Sequence, residues 1–478
     1  MKIAMIASEA NPLCKTGGLA DVVYALTKEL GKMGEEAIVI LPYYATIAKL
    51  GYPLEFVANF EVPMNWRRPV CDLWTCVAKG VRFYLVGNGR YFARDSLYGY
   101  EDDGERFAFF ALASIEAMKR INFQPDIVHA HDWQTGMVPT LLKVAHSHDE
   151  TFKKTKTVLT IHNPAFKGIL DPFSLFDLYN LPYELYENGR ARFQGVVSTL
   201  KAGIVDANKV TTVSPTHREE LLSPVSEFGL DGVLRMRAYD FCGFVNGIDI
   251  EEWNPKTDPR LVKNYDASTL KEGKKANKEA FLKENHLATF DGPLFGLVSR
   301  LTYQKGIDLV LNGAEEILAR GGLIAILGSG DKELEEKAKW LQERHPSQVY
   351  VYEGYSNDLA HKIYASSDFF LMPSLFEPCG IGQLLAEAYG SLPVARDVGG
   401  LHDTIKDSAN SRIRSGEATG ILFHDYNEEG FRYAFSKAFE IYKNKALCDC
   451  MRKNAMNEDH SWRYSAELYL GLYKELNS

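Results

Sequence analysis

Residues 1–34 read "MKIAMIASEANPLCKTGGLADVVYALTKELGKMG", and the order of residue types in this stretch decides the fold. "KIAMIA" is a short apolar run of the kind that forms a buried strand, and "VVYALTKELGKMG" has the apolar spacing of a helix. Between them, "CKTGGLAD" places Lys15, Gly17, Gly18 and Asp21 where strand gives way to helix. In open parallel sheets, ligands bind at the carboxyl ends of the strands. At such an end Gly17 and Gly18 permit close backbone approach, the helix start offers unpaired N–H groups with partial positive charge, and Lys15 adds a mobile cation. The stretch fits neither GxGxxG nor GxxxxGK[ST], so taken alone it is equally well read as a structural Gly-Gly turn.

The same alternation recurs along the chain. "KIAMIA", "AIVILP", "PDIVHA", "TVLTIH" and "KVTTVS" fill the first half, and "LFGLVS", "LIAILGSG", "VYVYEGY", "DFFLMPS" and "LPVA" fill the second. Continuous apolar strands separated by amphipathic stretches specify parallel sheets covered on both faces, so the fold class is α/β with two doubly wound domains. Between Glu55 and Val86 the alternation in "LEFVANFEV", "DLWTCVA" and "VRFYLV" predicts antiparallel strands added to the first domain. The turn-rich "NGIDIEEWNPKTDPR", Asn246 to Arg260, divides the chain into domains of residues 1–245 and 246–478. "KEGKKANKEAFLKENHL" beyond it reads as a charged helix with a solvated face. Helices follow the second sheet around Phe431 to Lys443 and Trp462 to Leu476.

Composition narrows the function classes. The 478 residues are 46% apolar and 24% charged, and no apolar run is long enough to span a bilayer. Glu9 follows the first apolar run at once, which argues against a secretory signal. With 54 Lys+Arg against 63 Asp+Glu, the net charge of −9 disfavours general attraction to nucleic acid or anionic membrane. Seven scattered cysteines lack CxxC or zinc spacing, which fits a reducing, cytoplasmic location.

Three further stretches combine strand end, loop and helix. In "VSRLTYQKG", Val298 to Gly306, Arg300 and Lys305 are able to converge on one anion, although isolated surface cations are the commoner case. In "PSLFEPCGIGQLLAEAYG", Pro373 to Gly390, Gly380 and Gly382 open a helix N-terminus suited to a diphosphate. Glu377 just upstream needs another partner there; sugar hydroxyls are suitable donors, and a plain offset to the helix dipole is the alternative. Cys379 is either a nucleophile without a positioned base or a packed small residue. "DVGGLHDTI", Asp397 to Ile405, repeats the Gly-Gly-Leu turn. His129 and His131 of "HAHDW" project to one side of a strand, without a second cluster to complete a metal site. His162 and Asn163 in "TIHNPAFKG" also fall at a strand end. Tyr355 in "EGYSN" follows a strand, where its ring either stacks on a purine or packs into the domain surface.

Together, "KTGGLADV", "HAHDW", "TIHNPAFKG", "NGID", "SRLTYQKG" and "EPCGIGQL", in this order over nearly the whole chain, resemble the bacterial glycogen synthases and plant starch synthases. The resemblance implies a glycosyltransferase-B fold, two Rossmann-like domains facing a deep cleft, with the last helix returning to the first domain. It implies transfer of glucose from ADP-glucose to the nonreducing end of an α-1,4-glucan, with retention at the anomeric carbon and no metal or other cofactor. By motif it carries catalytic roles to Lys15, His162, Arg300, Lys305 and Glu377. It carries substrate binding to Gly17, Gly18, Asp21, Asp132, Asn163, Asn246, Cys379, Gly380, Ile381 and Gly382, to which Tyr355 is added from its place after a strand. Two positions depart from the family's pattern: Leu375 stands where Arg is frequent, and Ile381-Gly382-Gln383 where Leu-Thr-Gln is frequent, which removes a threonine hydroxyl but keeps a backbone N–H. A sugar-nucleotide epimerase of the same fold and a non-catalytic glucan-binding regulator are the alternatives, and a phosphorylase lacks its pyridoxal phosphate lysine motif.

Overall fold

The strand Lys2–Ile6 is buried from Ile3 onward because it has parallel neighbours on both sides, Glu36–Pro42 and Ile127–His131. The computed structural model describes residues 1–289 and 291–478, and in it this strand is central to the first of two compact units, Met1–Asn246 with Trp462–Ser478. The sheet runs Phe241–Gly243, Lys209–Thr212, Lys156–Ile161, Ile127–His131, Lys2–Ile6, Glu36–Pro42, Val81–Gly87, Val70–Ala78, Glu55–Glu61. Its growth reverses direction at Lys2–Ile6, so the crossovers on either side leave toward opposite faces and open a crevice at the carboxyl ends. Val70–Ala78 pairs antiparallel with both Glu55–Glu61 and Val81–Gly87, as the alternation in that region requires. A small antiparallel sheet of Ile169–Leu170, Val196–Ser198 and Arg192–Phe193 was not legible in the sequence, since its strands are only two or three residues long.

The helix Trp462–Asn477 belongs to this first unit. Trp462, Ala466, Tyr469 and Tyr473 lie in its core, and the Tyr473 hydroxyl pairs with His129 Nδ1 at 2.6 Å. The second unit, Gly247–Ser461, has a wholly parallel sheet in the order Val349–Glu353, Leu323–Gly328, Leu294–Val298, Phe369–Met372, Leu392–Arg396, Ile421–Phe423. Its reversal falls between Leu294–Val298 and Phe369–Met372. Apolar clusters cover both faces, one around Phe295, Ile317, Phe369 and Phe435, the other around Phe281, Leu294, Tyr364 and Tyr389. The segment after Asn246 is tied into this unit by the buried Asp258, which pairs with His361 Nδ1 at 2.6 Å and accepts from the Tyr389 hydroxyl at 2.7 Å. Trp253 stacks on His361 with centroids 3.7 Å apart.

One expectation needs correcting here. The lysine-rich helix, Leu270–Glu284, is not charged only on a solvated face: Lys274 is buried and donates to the Tyr364 carbonyl at 3.0 Å. Lys278 reaches Asp368 at 2.6 Å, where Arg452 from the opposite side also binds. Burial pushes the Lys274 ammonium well below its usual range, while Asp368 is held down to about 2 against the desolvation cost by its two cations. Composition hid this because inward-facing cations have the same residue types as a solvated face. Among the described residues no helix is long and apolar enough to cross a membrane.

Candidate active site

At the carboxyl end of Lys2–Ile6 the loop that carries Lys15 is held from below by Glu9. This carboxylate is 4% exposed and accepts from the Thr16 hydroxyl at 2.9 Å, the Gly17 N–H at 3.2 Å, the Tyr98 hydroxyl at 3.1 Å and the Thr16 N–H. Charge-assisted bonds of this kind fix a loop that has no regular structure of its own. Lys15 is exposed, and its ammonium lies 2.7 Å from Asp21 in the first turn of the helix Gly18–Lys32. Gly17 is extended, and a Cβ there would meet nothing within 4 Å. Its lack of a side chain therefore answers no need of the protein's own packing and leaves the backbone open to a ligand.

The strands Ile127–His131 and Lys156–Ile161 deliver a column of imidazoles to the same end of the sheet. His129 and His131 stack with centroids 4.2 Å apart, and His131 Nδ1 lies 3.0 Å from His162 Nε2. His129 is closed off by Tyr473 and by Thr160 at 2.6 Å, and the Thr160 hydroxyl continues to Thr211. His131 Nε2 is buried without a partner. A buried lone pair is less costly to orphan than a buried N–H, so His131 carries its proton on Nδ1 and donates to His162, leaving His162 as the Nδ1–H tautomer. Asp132, with φ +58°, turns back so that its Oδ1 accepts from the backbone N–H groups of His162 at 2.7 Å and Asn163 at 3.2 Å. It positions the following strand's loop, a role the sequence did not separate from ligand binding.

Burial lowers His129 and His162 to about 3, holds His131 well below its usual range, and raises Asp132 to about 7. From pH 6.5 downward the unfolded chain binds protons on three imidazoles that the folded chain refuses, so their contribution weakens as the pH falls. Asp132 works in the other direction: folded it keeps its proton up to about 7, unfolded it loses it near 3.8, so its contribution weakens as the pH rises through that window. Three groups outweigh one. The urea midpoint is expected to fall between about pH 7.5 and about pH 5, and His129→Gln should flatten that slope. An unchanged slope in the variant would show that the column does not set it.

In the second unit, the loops after Leu294–Val298 and Phe369–Met372 interlock at the sheet's reversal. The Leu375 N–H donates to the Gln304 carbonyl at 2.8 Å. Gly306 has φ +68°, and a Cβ there would lie 2.0 Å from the Pro373 carbonyl oxygen, so no other residue fits between the loops. The result brings Lys305 Nζ to 2.6 Å from Glu377 Oε2, which also accepts from the Ser374 hydroxyl at 3.0 Å. Glu377 is 5% exposed. Arg300 stays exposed and, among the described residues, has no carboxylate within ion-pair reach. Lys305 and Arg300 thus differ in this structure, one committed to a buried carboxylate and the other available.

Cys379 is buried, and the helix Gly382–Ala388 begins after Gly380 and Ile381. Gln383 fastens this corner by donating to the carbonyls of Cys379 and Gly380 and to the Thr404 hydroxyl. The Gly399-Gly400 turn is more than an ordinary bend: the Gly400 N–H donates to the Glu377 carbonyl at 3.1 Å, and a Cβ at Gly399 would lie 2.0 Å from that oxygen. At Leu375, Arg396 donates to the backbone carbonyl. Tyr355 is not packed into the surface; its ring is 68% exposed and its hydroxyl donates to Asn357 Oδ1 at 3.1 Å. Asn246 is buried at the end of the first unit's main segment.

The first unit also holds a cavity of about 740 Å³ whose wall includes Trp133, Phe166, Tyr100, Asp102, Asp103 and Lys167. Aromatic faces beside carboxylates suit a neutral polyhydroxylated ligand. Among the described residues no group of three or more His, Cys, Asp or Glu is placed to hold a metal ion, and the ring nitrogens of His129 are already taken. Sequence reasoning missed Glu9, Ser374, Gln383 and the positioning role of His131. Glu9 alone left a trace, as an acidic residue directly after a buried strand.

The two-unit α/β fold is shared with sucrose-phosphate synthase from Thermosynechococcus elongatus, over 99% of this chain and 98% of that one, at TM-score 0.63 and 16% identity. The fold is that of a GT-B glycosyltransferase. Residues 2–236 match the family described as the starch synthase catalytic domain, and residues 279–458 match glycosyl transferases group 1. The chain is 44% identical over its whole length to glycogen synthase of Clostridium beijerinckii, covering 99% of it. It superposes on the catalytic domain of starch synthase IV from Arabidopsis thaliana, solved with ADP and acarbose, at TM-score 0.92 and 31% identity, covering 100% of this chain and 99% of that one. This chain belongs to the glycogen synthase and starch synthase family of retaining hexosyltransferases.

Proposed function

We propose that the protein transfers glucose from ADP-glucose to the nonreducing end of an α-1,4-glucan, with retention of configuration. The observation that carries this reading is the Lys305–Glu377 pair at the reversal of the second sheet, with exposed Arg300 on the neighbouring loop. A leaving diphosphate accumulates negative charge as the glycosidic bond breaks, and cations preorganised at that point stabilise the transition state more than the ground state. Arg300 and Lys305 act there, with backbone donors at Gly380, Ile381 and Gly382. When the donor binds, Lys305 turns from Glu377 to the phosphate, and the glucose hydroxyls replace it as donors to the carboxylate. At the carboxyl end of the first unit's sheet Lys15 offers a cation to substrate, with Gly17 and Gly18 allowing close approach and Asp21 holding the ammonium until substrate arrives.

His162 lies beside the reacting glucose as a neutral Nδ1–H donor, fixed by His131 and by the loop that Asp132 organises. Asn163 and Asn246 bind substrate hydroxyls. The aromatic and acidic cavity of the first unit receives the glucan. Tyr355 stacks on the adenine, for which an exposed ring is suited. The cationic side chains supply the charge stabilisation that Mg²⁺ provides elsewhere, so no divalent metal is required; full loss of activity in chelator, restored by one metal, would overturn that assignment. The protein works in the cytoplasm.

The test is a panel of nucleotide-glucose donors with glycogen, following nucleotide release and glucan extension together. ADP-glucose is expected to exceed UDP-glucose in kcat/KM. A preference for UDP-glucose would sink the nucleotide assignment and leave glucosyl transfer intact, whereas release without extension would remove the glucan acceptor. Tyr355→Ala should weaken ADP-glucose use without lowering Tm; the same donor ratio before and after substitution would place base selection elsewhere.

A further inference from the structure

The hairpin between Glu55–Glu61 and Val70–Ala78 ends in a tight turn closed by reciprocal hydrogen bonds of Met64 and Arg67. It presents Trp66 with 73% of its surface exposed. Such a ring normally costs solubility, yet this one is held in place. Its Nε1–H donates to Asp177 Oδ1 at 3.2 Å, and the Arg67 guanidinium lies 4.4 Å from the ring centroid. The turn is pinned further by Asn180, which accepts from the Asn65 N–H at 2.6 Å and donates to the Pro63 carbonyl at 2.9 Å. Edge and one face are thus engaged, and the ring is a fixed platform.

Trp66 lines a cavity of about 420 Å³ together with Arg67, Arg68, Arg90, Tyr91 and Glu105. Arg67 and Glu105 also line the larger cavity next to Trp133, so the two cavities share this ion pair as a common wall. Three arginines suggest an anion, but Arg67 and Arg90 are committed to carboxylates and the Arg68 guanidinium is held at the turn by backbone carbonyls. Arg67 binds Asp177 at 3.0 Å and Glu105 at 3.7 Å, Arg90 faces Glu105 at 3.5 Å, and Arg68 donates to the carbonyls of Asn65 and Arg67. Guanidinium and carboxylate groups that donate and accept beside a rigid aromatic face match alternating hydroxyl edges and C–H faces, the surface of a pyranose.

We propose that Trp66 is the platform of a distal subsite for the same α-1,4-glucan, binding glucose units remote from the growing end. This rests on the reading of the first unit's larger cavity as the acceptor site. The subsite makes the enzyme favour long acceptors and leaves chemistry at the chain end unaltered.

Initial rates with maltotriose, maltoheptaose and glycogen, together with calorimetric binding of maltoheptaose without donor, test it. Trp66→Ala is expected to raise KM for maltoheptaose roughly tenfold, the scale of one lost aromatic contact. KM for maltotriose, kcat and KM for the donor should stay within about twofold, and Trp66→Tyr should recover most of the loss. Arg90→Ala gives a second probe that leaves the ring in place, with a smaller rise confined to the long acceptor. Equal effects on short and long acceptors, or none on either, would overturn the subsite. So would inorganic pyrophosphate binding that weakens in Trp66→Ala and Arg90→Ala while maltoheptaose binding persists. Failure of the wild type to extend any glucan would instead reject the acceptor reading, a result separable from these because maltoheptaose binding is measured independently of turnover.

Discussion

Arg300→Ala is expected to lower kcat by roughly 10²–10³-fold with Tm unchanged, the loss seen when one preorganised donor to a developing charge is removed. The side chain is exposed and, among the described residues, in no ion pair, so folding has little to lose. Lys305→Ala should reduce kcat on the same scale and also destabilise the fold, because it leaves Glu377 buried with Ser374 as its one side-chain donor among the described residues. A fully buried pair broken on one side costs 3–5 kcal/mol; Lys305 retains some solvent access, so about 2–3 kcal/mol is expected. Adding Glu377→Gln to Lys305→Ala should restore much of the stability and none of the turnover. If the double variant regained activity, Lys305 would be a structural counter-ion to Glu377 and nothing more. Equilibrium urea unfolding beside steady-state kinetics with saturating glycogen decides among these outcomes.

The second large effect is expected at Glu9. Removing its carboxylate strands the Thr16 and Gly17 N–H groups and the Thr16 hydroxyl, while the Tyr98 hydroxyl keeps Ser8 as a partner. An abandoned buried donor costs about 1–3 kcal/mol, though some of these reach water once the loop relaxes. Glu9→Ala should therefore lose roughly 2–4 kcal/mol of stability and, by releasing the loop that carries Lys15, lower kcat/KM for the donor by about 10²-fold. Glu9→Gln keeps volume and one acceptor and should fall between. A variant with lowered Tm but full kcat/KM would show that the Lys15 loop finds its active geometry without this anchor.

Much of the architecture was written in residue order. Apolar runs bounded by turn residues specify parallel strands whatever surrounds them, because both faces of each strand are covered and the pattern needs no distant partner. The strand Lys2–Ile6, the Gly17-Gly18 turn and the helix Gly18–Lys32 follow from thirty-odd residues of local chemistry. Local periodicity has no hold on elements of two or three residues, and it missed Ile169–Leu170, Phe241–Gly243 and Ile421–Phe423. Their hydrogen bonds exist only once a longer strand offers an edge.

The candidate site divides along the same line. By itself the sequence placed Lys15, His162, Arg300, Lys305 and Glu377 at strand ends, and only the ordered set of motifs, through its resemblance to the synthases, gave them roles. Tertiary structure alone decided how they are held. Glu377 meets Lys305 across 72 residues, His129 meets Tyr473 across 344, and Lys274 is turned inward on a helix whose composition promised only solvent. A side chain's type is local, but its charge state and direction depend on what burial brings beside it. That pairing is settled by the packing of sheets and helices far apart in the chain.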